Sequence, residues 1–377
     1  MVFSHPSSAI SIQFLLVCLS ISEMETTTTS STNSTTRRPI LLIHGGAGTI
    51  SKSVITEKQA NQFQSSLERI LTSAYQVLLK DGGNALDAVT EAVRLLEEDP
   101  LYNAGKGSVF TSAGTHEMDA SIMDGRDLKA GAVGGVGIIR NPVLAARAIM
   151  EKTPHVMMIG KGAEDFIRDK APEIELVDPS FFFTEHRYNQ LLNVQKENKH
   201  SIVLDHSSNP IKVKEEEEKE LKEEDKGYLS EKKFGTVGAV ALDINGNLAA
   251  ATSTGGMTNK LVGRVGDSPI VGSGVYANNK TVAVSTTGTG EMFIRSVASY
   301  TVSAMMEFGG YSLEKAAHET IFTKLTEIDG DGGLIAIDRD GNFTMPFNTE
   351  GMYRGYIQEK DKPNAFLYGP NESNLNK

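Results

Sequence analysis

The chain has 377 residues, 39% of them hydrophobic, and a formal net charge of −11. That length admits one large domain or two ordinary ones, and the acidity disfavours a broad nucleic-acid or anionic-membrane surface. The single cysteine, Cys18, sits near the N-terminus. The rest of the chain therefore has no disulfide, no cysteine nucleophile and no thiolate metal site, which favours a reducing compartment.

Residues 1–38 read as a tail. Its apolar stretch Phe14-Leu15-Leu16-Val17-Cys18-Leu19 is too short to span a bilayer. It resembles a signal-peptide core, yet no Lys or Arg precedes it, the first being Arg37. The reading is a cytoplasmic protein with an extended N-terminus and Met24 as a second possible start; entry into the secretory pathway is the alternative. The Thr/Ser-rich segment Thr26 to Thr36 cannot build a core.

Arg38-Pro39 opens a predicted strand, Ile40 to Ile43, which runs into His44-Gly45-Gly46-Ala47-Gly48. Amphipathic periodicity predicts helices over Thr56 to Leu79, stopped by Asp81-Gly82-Gly83, and over Ala85 to Leu96. Strands are expected over Glu117 to Met123, Lys129 to Ile139 and His155 to Ile159, with a short helix from Pro142 to Met150. Residues 201–233, with Glu215-Glu216-Glu217-Glu218 and many lysines, read as a solvated linker.

Strands are then expected over Thr236 to Leu242 and Asn247 to Thr252, joined by Asn245-Gly246, a strong hairpin signal. Further strands are placed near Ile270 to Tyr276 and Thr281 to Ser285, and helices over Met292 to Met306 and Leu313 to Leu325. Leu334 to Ile337 and Phe343 to Met345 form a last hairpin-like pair around Asp340-Gly341. Helices grouped between runs of strands predict sheets covered by helical layers.

The chemistry centres on Phe234-Gly235-Thr236-Val237-Gly238, immediately after the charged linker. A cut between Gly235 and Thr236 would give the threonine a free α-amine beside its own hydroxyl. Such an amine titrates at about 7.7–8.0 in free peptides and can take the hydroxyl proton. Three more Ser/Thr/Gly or charged clusters follow: Ser253-Thr254-Gly255-Gly256, Gly263-Arg264-Val265-Gly266-Asp267 and Thr286-Thr287-Gly288-Thr289-Gly290-Glu291. Each alone reads as a turn or a surface ion pair. Together they offer an arginine fork for a carboxylate, an aspartate for an ammonium, and hydroxyl and backbone donors for an oxyanion.

The chain closely resembles the plant-type L-asparaginases, also called isoaspartyl peptidases or β-aspartyl-peptidases, of the N-terminal-nucleophile hydrolases. The resemblance runs from about Pro39 to Gln358 apart from the linker. It rests on His44-Gly45-Gly46-Ala47-Gly48, Asn103-Ala104-Gly105-Lys106-Gly107, Met118-Asp119-Ala120-Ser121, Gly235-Thr236-Val237-Gly238, Gly263-Arg264-Val265-Gly266-Asp267 and Phe347-Asn348-Thr349-Glu350-Gly351.

The resemblance implies an α+β fold, a four-layer αββα sandwich spanning residues 39–377, made as an inactive precursor. Autocleavage would yield an α chain ending at Gly235 and a β chain beginning at Thr236, with two αβ units pairing. It implies Thr236 as nucleophile and Thr254 as its hydrogen-bonding neighbour. Thr287 and Gly288 would form the oxyanion hole. Arg264 would hold the substrate α-carboxylate, and Asp267 the α-amine with help from the Gly290 backbone. It implies no organic cofactor, but a structural sodium ion on main-chain carbonyls of Leu96, Glu97, Asp99, Tyr102, Ala104 and Lys106, and leaves potassium activation open. Substrates would be asparagine and isoaspartyl dipeptides.

Two other enzyme classes are in view. A threonine endopeptidase of the same superfamily would share the nucleophile. An α/β serine hydrolase would use His44-Gly45-Gly46 and Ala251-Thr252-Ser253-Thr254-Gly255 with His318, but the elbow lacks its first glycine. A nucleotide-binding module is disfavoured, since no phosphate-loop motif is present.

Overall fold

The computed structural model describes residues 38–198, 235–358 and 362–369. The expected tail up to residue 37 and the expected linker at 201–233 lie outside the described residues.

Strand β1 (Ile40–Gly48) is buried throughout its length. Helix α1 (Glu57–Leu79) begins at a capping box, in which Thr56 and Gln59 each satisfy the other's backbone N–H. Its Phe63, Leu67, Ile70, Leu71, Ala74 and Leu78 recur at helical spacing and form the buried stripe. Helix α2 (Ala85–Glu98) is capped by Asn84, whose side chain accepts from Asp87 N at 2.9 Å. Next come β2 (Met118–Asp124), β3 (Ala130–Val136), α3 (Pro142–Lys152) with proline in its first turn, and β4 (Met157–Ile159). Helices α4 (Gly160–Lys170) and α5 (Glu185–Asn198), which the pattern did not announce, close this half.

The second half holds β5 (Val237–Leu242), β6 (Leu248–Thr254), β7 (Val275–Ala277) and β8 (Val282–Gly288). Three helices follow: α6 (Gly290–Ser296), α7 (Ala298–Glu307) and α8 (Leu313–His318), the last running into a π-helical turn at Glu319–Lys324. The chain then forms β9 (Gly332–Asp338), β10 (Phe343–Thr344), β11 (Gly351–Gln358) and β12 (Asn364–Tyr368). The single helix expected over Met292 to Met306 is broken at Val297, which sits at φ 47°. The strand expected from Ile270 shortens to Val275–Ala277.

Eight strands form one sheet in the order β12-β11-β1-β5-β6-β2-β3-β4, and four form a second in the order β10-β9-β8-β7. Alternation along the strands sorts the side chains into three cores. Leu41 and Ile43 of β1, with Val237, Ala239 and Ala241 of β5, face α1, α2 and α3. Ile40 and Leu42, with Val240 and Leu242, face the smaller sheet, meeting Ala283, Ile335 and Ile337. Val282, Val284 and Leu334 on the far side of the smaller sheet face Val302, Leu313 and Ile321. The result is a four-layer αββα sandwich. Among the described residues no helix is long and apolar enough to cross a membrane.

Candidate active site

Thr236 stands at the head of β5, which lies between β1 and β6 inside the large sheet. Val237 pairs with Ser253, and Gly238 pairs with His44 on one side and Thr252 on the other. This register points Thr236, Thr254 and His44 toward the smaller sheet. Thr236 Oγ1 donates to Thr254 Oγ1 at 3.3 Å, and Thr254 Oγ1 also accepts from Gly256 N at 2.9 Å. Gly238 must be glycine: a Cβ there would lie 1.9 Å from Ser285 Oγ and 2.4 Å from His44 Nε2.

His44 Nε2 bonds Ser285 Oγ at 2.9 Å, which bonds Thr252 Oγ1 at 2.7 Å, which donates to the Gly274 carbonyl at 3.0 Å. This buried chain of polar groups ties the two sheets together behind Thr236. Burial pushes the His44 pKa down to about 3, opposed in part by the backbone of Thr236, so the imidazole is neutral at physiological pH.

Asn103 is a site residue whose role the sequence did not disclose. Its Nδ2 donates to the Gly256 carbonyl at 2.6 Å, its Oδ1 accepts from Val109 N at 3.0 Å, and its own carbonyl accepts from Gly255 N at 3.0 Å. It thereby fixes the turn that carries Thr254. Gly235 packs on it, with room for a Cβ only 3.4 Å from the Asn103 Cβ and 3.5 Å from the Gly45 carbonyl.

The smaller sheet brings Thr287 and Gly288 at the end of β8, paired with Gly333 and Gly332. Thr287 Oγ1 accepts from Ala47 N at 3.3 Å, so the glycine-rich end of β1 and the end of β8 meet across the sandwich. A side chain at Gly288 would run into the Asp331 carbonyl, 2.2 Å from its Cβ.

Arg264 and Asp267 share the loop between β6 and β7. Asp267 is buried, and its Oδ2 accepts from Thr286 Oγ1 at 2.8 Å. Burial pushes its pKa up to about 6, while the Thr286 hydroxyl and the Arg264 cation hold it down. Gly290 lies between the two charges: a Cβ there would be 2.9 Å from Asp267 Oδ1 and 3.0 Å from Arg264 Nη2. Residues at and just before β2 tack this loop down. Lys260 Nζ donates to the Glu117 carbonyl at 2.6 Å, Gly263 N donates to Glu117 Oε2 at 2.8 Å, and Ser121 Oγ donates to the Ser268 carbonyl at 2.5 Å.

Of the six residues named for sodium, Leu96 and Glu97 lie in the last turn of α2, and Asp99, Tyr102, Ala104 and Lys106 lie in the turn after it. The Glu97 carbonyl abuts Gly105 and the Tyr102 carbonyl abuts Gly107, where a Cβ would come within 2.3 and 1.9 Å of those oxygens. The acidic side chains are committed elsewhere. Glu97 Oε1 accepts from Ser253 Oγ at 2.7 Å and Val143 N at 3.0 Å, and Asp99 accepts from Ser66, Arg69 and Leu101. Lys106 Nζ sits 4.6 Å from the centre of the Phe181 ring. Of the six carbonyls, those of Leu96, Asp99 and Ala104 accept from Asp99 N, Tyr102 N and Gly107 N at 3.3, 3.2 and 3.1 Å. Among the described residues no group of three or more His, Cys, Asp or Glu side chains is placed to hold a metal.

The serine arrangement is not assembled. Ser253 points to the helical side and donates to buried Glu97, while exposed His318 lies tilted against Phe322 with ring centres 4.4 Å apart.

Residues 37–367 match the asparaginase family. The chain belongs to that family. An isoaspartyl peptidase of Escherichia coli strain K12 is 54% identical over 331 residues, covering 88% of this chain and 96% of that protein. An isoaspartyl peptidase of Salmonella typhimurium is 50% identical over 331 residues, covering 88% and 99%. The human isoaspartyl peptidase/L-asparaginase is 40% identical over 340 residues, covering 89% and 98%. Membership in the asparaginase family makes the chain a hydrolase.

Proposed function

We propose that the chain cleaves itself before Thr236 and then hydrolyses the β-amide of L-asparagine and of isoaspartyl dipeptides. The observation that carries this is the placement of Thr236, hydroxyl to hydroxyl with Thr254, at the head of a central strand. In the self-cleavage, Thr236 Oγ attacks the Gly235 carbonyl carbon and its proton passes to the departing nitrogen. Water then hydrolyses the ester, leaving a Gly235 carboxylate and a free Thr236 amine and hydroxyl.

In the matured enzyme the α-amine takes the Thr236 hydroxyl proton as Oγ attacks the substrate β-carbonyl. Thr254 keeps the hydroxyl oriented. Thr287 and Gly288 donate to the oxyanion, a type of contact worth roughly 3 kcal/mol per donor. The protonated amine delivers its proton to leaving ammonia or to the amine of an amino acid. Water then attacks the Thr236 ester and aspartate departs. Arg264 holds the α-carboxylate and Asp267, with the Gly290 backbone, the α-ammonium. Asparagine and an isoaspartyl dipeptide share that head group, so one clamp serves both.

A sodium ion on the carbonyls of Leu96, Glu97, Asp99, Tyr102, Ala104 and Lys106 would supply rigidity to the turn that leads into Asn103. Two αβ units would pair into a heterotetramer.

The test is a denaturing gel of purified protein with N-terminal sequencing of each band. Two bands, the smaller starting at Thr236, are expected, and Thr236→Ala should give one band and no turnover. An uncleaved chain that still hydrolyses β-aspartyl substrates would overturn the proposal.

A further inference from the structure

Arg264 and Asp267 are opposite charges three residues apart on one loop, flanking the same glycine. Left to themselves they would neutralise each other and consume both halves of the clamp. The ion pair that Arg264 makes is instead with Glu291, near the start of α6. Glu291 Oε1 accepts from Nε and Oε2 from Nη2, each at 2.9 Å, a two-bond fork along one edge of the guanidinium. We propose that Glu291 is a positioning residue. It keeps Arg264 off Asp267 and presents the Nη1/Nη2 edge to the substrate α-carboxylate.

A guanidinium has five N–H groups in a rigid plane. Glu291 takes the two on the Nε side, and Nη1 bonds no group among the described residues. The remaining parallel pair, one N–H from each Nη, has the geometry of a second carboxylate fork. The plane is kept clear by two glycines: a Cβ at Gly266 would lie 2.8 Å from Nη1, and one at Gly290 would lie 3.0 Å from Nη2. One arginine therefore carries two carboxylates, Glu291 permanently and the substrate transiently. The local charge is then that of Arg264 against two carboxylates, Glu291 and Asp267. This favours a head group bringing both an ammonium and a carboxylate over one bringing a carboxylate alone.

This inference rests on the clamp reading above, and its test separates the two. Steady-state kinetics of Glu291→Gln and Glu291→Asp are compared on L-asparagine and on β-alaninamide, which lacks the α-carboxylate. For Glu291→Gln, KM for asparagine should rise roughly tenfold or more while kcat changes little. Turnover of β-alaninamide should fall far less, and Glu291→Asp should be intermediate. An unchanged KM, or an equal loss on both substrates, would overturn the role of Glu291. Arg264→Leu serves as the control. If it raises KM for asparagine where Glu291→Gln does not, only the inference about Glu291 fails. If it too leaves KM unchanged, the clamp reading fails with it.

Discussion

Thr286 donates a 2.8 Å hydrogen bond to the carboxylate of Asp267, a residue that burial has already pushed up to about 6. The hydroxyl favours the charged form that an ammonium needs. Thr286→Val, which keeps the shape and loses the donor, should move the acid limb of kcat/KM to higher pH. A hydrogen bond to a charged group is worth about 1.5–3 kcal/mol, so the displacement should be on the order of one to two pH units. Thr286→Ser should restore the profile. A pH–rate series on the three proteins decides it, and an unmoved acid limb would count against the assignment of Asp267.

The same carboxylate carries a stability cost. Asp267 is raised from 3.8 to about 6 on folding. Its favourable contribution is therefore present below its unfolded pKa and is lost as pH rises through about 6. At pH 8 the buried anion costs on the order of 3 kcal/mol. Asp267→Asn should melt higher than the parent at pH 8, with the advantage shrinking toward pH 4, while turnover collapses. Thermal melts at both pH values check this.

His44 works in the opposite sense. Its folded pKa is lowered to about 3 from 6.5, so its contribution is present above the unfolded pKa and is lost as pH falls from 6.5 toward 3. The slope is about 1.4 kcal/mol per pH unit inside that window. Glu97, raised to about 8, opposes it in the overlap. The difference between parent and His44→Asn isolates the histidine. Denaturant melts at pH 4.5, 5.5 and 6.5 should show the parent losing its advantage as pH drops.

Gly238 admits no side chain. A methyl group there would sit 1.9 Å from Ser285 Oγ and 2.4 Å from His44 Nε2. Gly238→Ala must therefore push the sheets apart or break the polar chain between them. The expected loss is about 1–3 kcal/mol or more, measured as a lower denaturation midpoint, with slower cleavage at Gly235 as the functional readout.

The strand carrying Thr236 was legible because an apolar run behind a glycine and a charged segment admits little else. What the pattern missed has physical causes. Asn245-Gly246 marked the hairpin between β5 and β6, whose last paired residues are Leu242 and Leu248, but did not show what shapes its loop. The Asp243 carboxylate takes Asn245 N and Asn247 N, both at 2.9 Å, and so sets the loop with Gly246 at φ 82°. Asp338 does the same for Asp340 N and Asn342 N, with Gly341 at φ 88°. Strand β11 was hidden by Arg354, a charge in mid-strand that the rings of Phe347 and Phe366 cover at 4.7 and 5.4 Å. The break at Val297 was invisible because a β-branched residue gives no warning of a left-handed backbone. Within the site, the hydroxyls, the arginine and the aspartate were named from the sequence. Asn103, Thr286 and Glu291 act through non-local partners, and their roles had no local signature.

The strand order has one more consequence. β1 precedes Gly235 in the chain, yet it is enclosed between β5 and β11, which both follow it. If the chain is cut before Thr236 as proposed, the two polypeptides would be laced through a common sheet, and neither could be drawn out without undoing the other. A heated sample of the cut protein would have to reassemble from two separate molecules. Its recovery on cooling should therefore depend more steeply on concentration than that of an uncut Thr236→Ala chain, whose strands stay joined.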